Sequence, residues 1–122
     1  MSESPVHTGW RQIPVETLNP LLTRQYVHGS QAMLSRLVLQ PGCIVPRHTH
    51  ANEQISHIVS GALRFLLGEE YAEAEYIVLA GEVLVIPANL PHSAEALEET
   101  VALDVFAPPR QDWITGEDSY LR

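Results

Sequence analysis

Two histidines one residue apart, His48-Thr49-His50, stand four residues before Gln54 as counted from the second, and a further histidine, His92, closes the stretch Pro87-Ala88-Asn89-Leu90-Pro91-His92 forty-two residues later. Alternate side chains of an extended strand share a face, so His48 and His50 present two imidazoles side by side, and Gln54 keeps their parity if the strand continues. A glycine-led strand, Gly81 to Ile86, turns at the prolines and returns His92. Three imidazoles and an amide oxygen form a ligand set for one divalent transition metal per chain, nickel, zinc, manganese or iron, with one or two positions open. Taken singly each residue has a plainer reading: two exposed strand histidines, a histidine capping a turn, a glutamine donating a hydrogen bond behind the ligands. Taken together they sit where a metal site needs them.

A glutamine in that set has a chemical consequence. Three neutral imidazoles and a neutral amide leave the double positive charge uncompensated, which makes the ion a stronger Lewis acid and a better receptor for carboxylate or enolate oxygens. An amide does no acid–base work, so the proton-moving group must come from elsewhere. In the stretch Val101 to Ala107, Ala102, Asp104 and Phe106 share one face and Val101, Leu103 and Val105 the other. A carboxylate amid apolar residues either reaches solvent on an edge strand or faces a polar cavity, because burying it unpaired is costly. The functional reading turns Asp104 toward the metal, with Phe106 as an apolar wall. Arg110, just after Pro108-Pro109, is a candidate to pair bidentately with a substrate carboxylate, and Arg36, Arg47 and Arg64 compete for that role.

The elements that must carry these residues read as short strands. Trp10 to Leu18, Leu21 to His28, Gln31 to Leu39, Gln54 to Ser60, Ala62 to Leu67, Tyr76 to Leu79, Val83 to Ile86, Ser93 to Leu97 and Val101 to Ala107 are rich in Val, Ile and Leu and are punctuated by Gly, Pro or acidic pairs. Such spacing predicts an all-β sandwich or barrel. We expect a polar arm over 1–9, a barrel over 10–110, and a tail or short helix over 111–122 that holds Trp113 against the barrel. His57, three residues from Gln54, should face away from the site. His7, His28 and Cys43 read as bystanders.

The chain has 122 residues, enough for one domain and one core. Seven basic residues, all arginine, against fifteen acids give a net charge of −8, and no arginine lies between Arg64 and Arg110. Nucleic-acid binding needs a basic footprint, and this surface repels phosphate. Without lysine, Schiff-base chemistry is excluded. No apolar run is long enough to span a bilayer, no secretory signal is read at the N-terminus, and one cysteine forms no internal disulfide, so the expectation is a cytoplasmic protein.

Gly42, His48-x-His50, Gln54 and Gly61 together resemble the first motif of the cupins, and Gly81, Pro87, Asn89 and His92 resemble the second. The departures are Gln54, where most cupins carry Glu, and Asn89 and Ala96, where the second motif usually has Gly and Asn. The resemblance covers about residues 31 to 107 and implies a single-domain cupin barrel (a double-stranded β-helix, or jelly roll), a bound metal and a homodimer. Gln54 together with the stretch Asp104 to Trp113 is similar to a narrower group, the small pectin-degradation cupins that linearise unsaturated uronic acids. That likeness implies a small anionic sugar as substrate and functional roles for Asp104, Phe106 and Arg110. A metal-dependent dioxygenase and a non-catalytic sensor cupin are the competing expectations.

Overall fold

Alternation decides this fold: along the strands 53–60, 92–96 and 100–107 one parity of side chains is buried and the other is not, which packs a sheet by one face only. The computed structural model describes residues 4–122. Residues 1–3 of the expected polar arm lie outside the described residues. The strands are β1 (Glu16–Asn19), β2 (Leu22–His28), β3 (Met33–Leu39), β4 (Ile44–His48), β5 (Glu53–Ser60), β6 (Ala62–Leu67), β7 (Ala74–Leu79), β8 (Val83–Ile86), β9 (His92–Ala96) and β10 (Thr100–Ala107), followed by a helix α1 (Gln111–Thr115). They form a six-stranded sheet, β1-β2-β3-β10-β5-β8, and a four-stranded sheet, β4-β9-β6-β7, antiparallel throughout. The all-β expectation is met.

The core lies between the inner faces of the sheets, with Met33, Leu39, Ile58, Phe65, Ile86 and Phe106 almost fully buried. Burying one such side chain contributes roughly 1.5–3 kcal/mol, so this layer is the main stabilising term. Gly61 makes the tight β5–β6 turn at φ 87°, where an added Cβ would lie 2.3 Å from the Glu99 carbonyl oxygen. Only glycine fits there.

Two sequence expectations need correction. Trp10 does not begin a strand; Trp10–Gln12 is a single 3-10 turn, and pairing starts at Glu16. Nor does one strand run from His48 to Gln54. β4 ends at His48, and residues 49–52 carry the chain from the four-stranded sheet to the six-stranded one. The tail behaves as expected for Trp113, which is buried against Phe106 at a centroid distance of 5.0 Å.

A fully buried arginine anchors that tail. Arg24 points inward from β2, donates to the buried Asp118 at 2.6 Å and to Glu16 at 3.1 Å, and stacks over Trp113 at 4.4 Å. Asn19 adds a hydrogen bond to the Leu121 carbonyl at 2.9 Å. Residues 118–121 are thereby pinned over one end of the barrel.

Candidate metal centre

The three histidines arrive from different elements. His48 ends β4 and is the register partner of His92, which opens β9. His50 sits in the crossing loop, and the Asn89 amide donates to its carbonyl at 2.8 Å, tying that loop to the turn before His92. Asn89 itself has φ 65°. Asparagine is among the few non-glycine residues that tolerate this region, which accounts for its place where the cupin motif usually has Gly. Gln54, the second residue of β5, comes from the opposite sheet, so the site straddles the barrel.

Each imidazole is held in one orientation by its own backbone. His48 Nδ1 lies 2.7 Å from the Pro46 carbonyl, His50 Nδ1 2.9 Å from that of Asn52, and His92 Nδ1 2.8 Å from that of Leu90. A carbonyl only accepts, so each Nδ1 carries the proton and each Nε2 keeps its lone pair. Burial, with His92 adding to it, lowers the His48 pKa to about 3. Burial and the Arg110 charge lower that of His50 to about 4, and burial lowers that of His92. All three rings are neutral at pH 7.

These lone pairs converge. One ligand atom from each histidine lies within 4.8 Å of the others, close enough to share an ion. His92 Nε2 is buried and meets no hydrogen-bond partner among the described residues. His50 Nε2 stands 3.1 Å from Gln54 Oε1, an acceptor facing an acceptor, while Gln54 Nε2 donates to Ser56 at 2.9 Å. A cation between such groups satisfies them all, and the carbonyl bonds behind the rings are those expected to orient metal-binding imidazoles. The donor set fits a divalent metal.

Asp104, Phe106 and Arg110 line the same cavity as His48, Gln54 and His92, a space of about 50 Å³. Asp104 is 5% exposed and its Oδ1 meets no partner among the described residues. Burial raises its pKa to about 6, against the opposing influence of the neighbouring Ser56 hydroxyl and the charge of Arg110. Phe106 sets its ring edgewise to His50 at 5.7 Å. Arg110 is buried rather than solvated, lies 5.0 Å over both Phe106 and Trp113, and directs Nε and Nη2 to Asp112 at 3.0 and 2.8 Å. The other arginines turn elsewhere: Arg36 to Gln25, Arg47 to Gly68 and Glu69, Arg64 to Glu75 and Glu95. His57 is exposed on the outer face, as its parity implies.

Tyr120 was missed by the sequence reading. Its ring lies 4.7 Å from that of His48, and its hydroxyl is 2.5 Å from Arg110 Nη2. Nothing local in the tail signals this, because the tail is seated by Arg24 and Asp118, ninety-four residues apart.

The model of the cupin domain family matches residues 35–106, more than half of the chain, and the chain belongs to that family. No curated protein sequence matches it. Solved structures of the same fold include KdgF from Halomonas sp. (24% identity, TM-score 0.80, covering 90% of this chain and 99% of that one). An RmlC-like cupin from Shewanella frigidimarina NCIMB 400 is 22% identical with a TM-score of 0.81, covering 93% of this chain and 99% of the other. Oxalate decarboxylase OxdC of Bacillus subtilis is 21% identical with a TM-score of 0.78 over 88% of this chain and 30% of its own.

Proposed function

We propose that this cupin is a metal-dependent isomerase that opens the ring of 4,5-unsaturated uronate monosaccharides to the linear keto acid. The observation that carries the reading is the buried Asp104 carboxyl, its pKa raised to about 6, lining the same cavity as His48 and His92 of the three-histidine cluster. The sequence likeness to the uronate-linearising cupins supplies the substrate class.

The reaction is an isomerisation, so nothing is gained or lost. The bond between the anomeric carbon and the ring oxygen breaks, the anomeric hydroxyl gives up its proton to leave an aldehyde, and the ring oxygen is left on the double bond as an enolate. Delivery of that proton to C4 turns the enolate into the ketone. Asp104 accepts and returns the proton, a role suited to a carboxyl titrating close to neutrality. A divalent ion held by His48, His50, Gln54 and His92 would polarise the sugar oxygens it binds. Phe106 keeps water from the carboxyl. Arg110 supplies the positive charge for the substrate carboxylate on a surface otherwise strongly acidic, and its Nη1 is the guanidinium nitrogen that Asp112 and Tyr120 leave uncommitted.

Access requires movement. A cavity of about 50 Å³ holds an ion and a few waters, since one water needs at least ~10–15 Å³ of such space, but not a sugar ring. Tyr120 and Leu121, which also line it, must swing aside for the substrate. We further propose that two copies pair through the outer face of the six-stranded sheet, where Val27, Leu34, Val105, Ile55 and Val85 are successive register partners across five strands. Leu34, Val105 and Val85 are 37%, 37% and 54% exposed, and a two-fold axis brings the same row onto itself.

The direct test follows the ultraviolet absorbance of the conjugated carboxylate. With holoprotein it should decay faster than in buffer, and proton NMR should show the linear keto acid accumulating. No acceleration with any of nickel, zinc, manganese or iron would exclude this activity and favour a ligand-binding role.

A further inference from the structure

Arg110 is 2% exposed, and the donors of a buried guanidinium need acceptors. Its side edge is taken: Nε and Nη2 donate to Asp112 at 3.0 and 2.8 Å, the parallel pair of bonds by which a carboxylate meets that edge. Nη2 carries two protons, and the planar group directs the second toward the end fork that Nη2 shares with Nη1. That second proton goes to the Tyr120 hydroxyl, at 2.5 Å. Half of the end fork is therefore filled by the chain itself, and this fork is the edge left to grip a carboxylate at two points.

The rest of Tyr120 is placed to match. Its ring lies 4.7 Å from that of His48 at an interplanar angle of 30°, and it lines the same cavity as His92, Asp104 and Arg110. One phenol thus reaches from an imidazole of the histidine cluster to the buried arginine, which is the span a sugar acid has to cover. We propose that Tyr120 is a specificity-determining residue, a resident occupant of the Arg110 end fork that a carboxylate replaces on better terms than a neutral group does. A neutral sugar that displaces Tyr120 trades one hydroxyl acceptor for another and gains nothing at Arg110. A carboxylate takes Nη1 and Nη2 together through two charge-assisted bonds, so displacing the tyrosine and recognising the acid are one event. This rests on the carboxylate-binding role proposed for Arg110.

Competition fixes the sign of the test. Damage to a site lowers affinity, whereas Tyr120→Phe keeps the ring and deletes only the competing hydroxyl, so affinity for a carboxylate should rise. The probe is D-galacturonate, a saturated uronate without the 4,5 double bond. Its dissociation constant should be measured in excess Zn²⁺ by saturation-transfer NMR, which reads millimolar binding, for the wild type, Tyr120→Phe, Arg110→Met and the double variant. Arg110→Met should weaken binding by about tenfold or more. Tyr120→Phe should tighten it by about fivefold or more. In the Arg110→Met background Tyr120→Phe should change it by less than about twofold, because no fork is left to contest. Binding by none of the four proteins, or Arg110→Met binding as tightly as the wild type, would overturn the carboxylate role of Arg110 together with this inference. If Arg110→Met is weakened as expected, a gain under about fivefold in Tyr120→Phe overturns the competition alone, and an outright loss would mean that the phenol joins the bound ligand as a donor. A gain of the same size in both backgrounds also overturns it, since the hydroxyl would then act on the lid and not at Arg110.

Discussion

Asp104 and Arg110 line one cavity, and substitution should separate the different roles proposed for them. Asp104→Asn preserves shape and removes the proton acceptor, so on an unsaturated uronate it should lower kcat by about 10²–10⁴-fold while KM moves little. Arg110→Met keeps the stem against Phe106 and Trp113 and loses the charge, so it should raise KM more than it lowers kcat. Equal small losses in both would place the two residues outside the reaction. Arg110→Ala is the poorer probe, because the buried stem would leave a hole and Asp112 would lose its partner. The clustering of the three histidines was legible from their spacing and from the proline-bounded turn before His92, although His50 sits in a loop and not on a strand with His48. Asp104 and Phe106 were legible from parity alone. The surroundings of Arg110 were not: Asp112 is its near neighbour in sequence, but Tyr120 reaches it only because the tail folds back.

At the scale of elements, the sequence marked strands well where β-branched residues alternate and poorly where a loop changes sheet. The shared parity of His48, His50 and Gln54 would place them on one face only if a strand continued through residues 49–52, but that stretch is a loop and the side chains are brought together by two sheets facing each other. Arg24 carried an unread signal: it alternates with Leu22 and Tyr26 on β2, so an inward arginine was implied, and an inward arginine needs an acid. That acid is Asp118, in the tail. Arg24→Ala should therefore destabilise the fold by about 3–5 kcal/mol, the usual cost of leaving one member of a buried pair behind, and should loosen the segment that carries Tyr120. Thermal melting reads the first effect, and chymotryptic cleavage near Trp113 or Tyr120 in otherwise native protein reads the second. Arg64→Ala, at an exposed pair with Glu75, should change neither. Comparable losses in the two variants would mean that Arg24 is not the latch.

For the molecule as a whole, charge and titration set behaviour that no single contact shows. Val85→Arg, placed in the apolar row of the outer sheet, should turn a dimer into monomers by light scattering without changing the circular dichroism; a wild type that is monomeric at high concentration removes that interface. The dependence of stability on pH follows from burial inside the barrel. In the metal-stripped protein His48 titrates at about 3 and His50 at about 4, whereas in the unfolded chain both titrate near 6.5. Between these values the unfolded state binds more protons, so stability falls as the pH is lowered from 6.5, by up to ~1.4 kcal/mol per pH unit for each ring. Asp104 acts in the opposite sense: its folded pKa, about 6, lies above the ordinary 3.8, so the folded state binds more protons in that interval and gains stability on acidification. Two imidazoles outweigh one carboxyl, and His92, lowered as well, adds to them. The melting temperature of metal-free protein should therefore drop between pH 6.5 and 4.5. The drop should steepen in Asp104→Asn, which removes the compensating group, and flatten in His48→Ala with His50→Ala, which removes the proton uptake on unfolding. A melting temperature that stays level or rises over that interval would show that the imidazoles are not buried as neutral rings, and the argument for three preformed Nε2 donors would go with it.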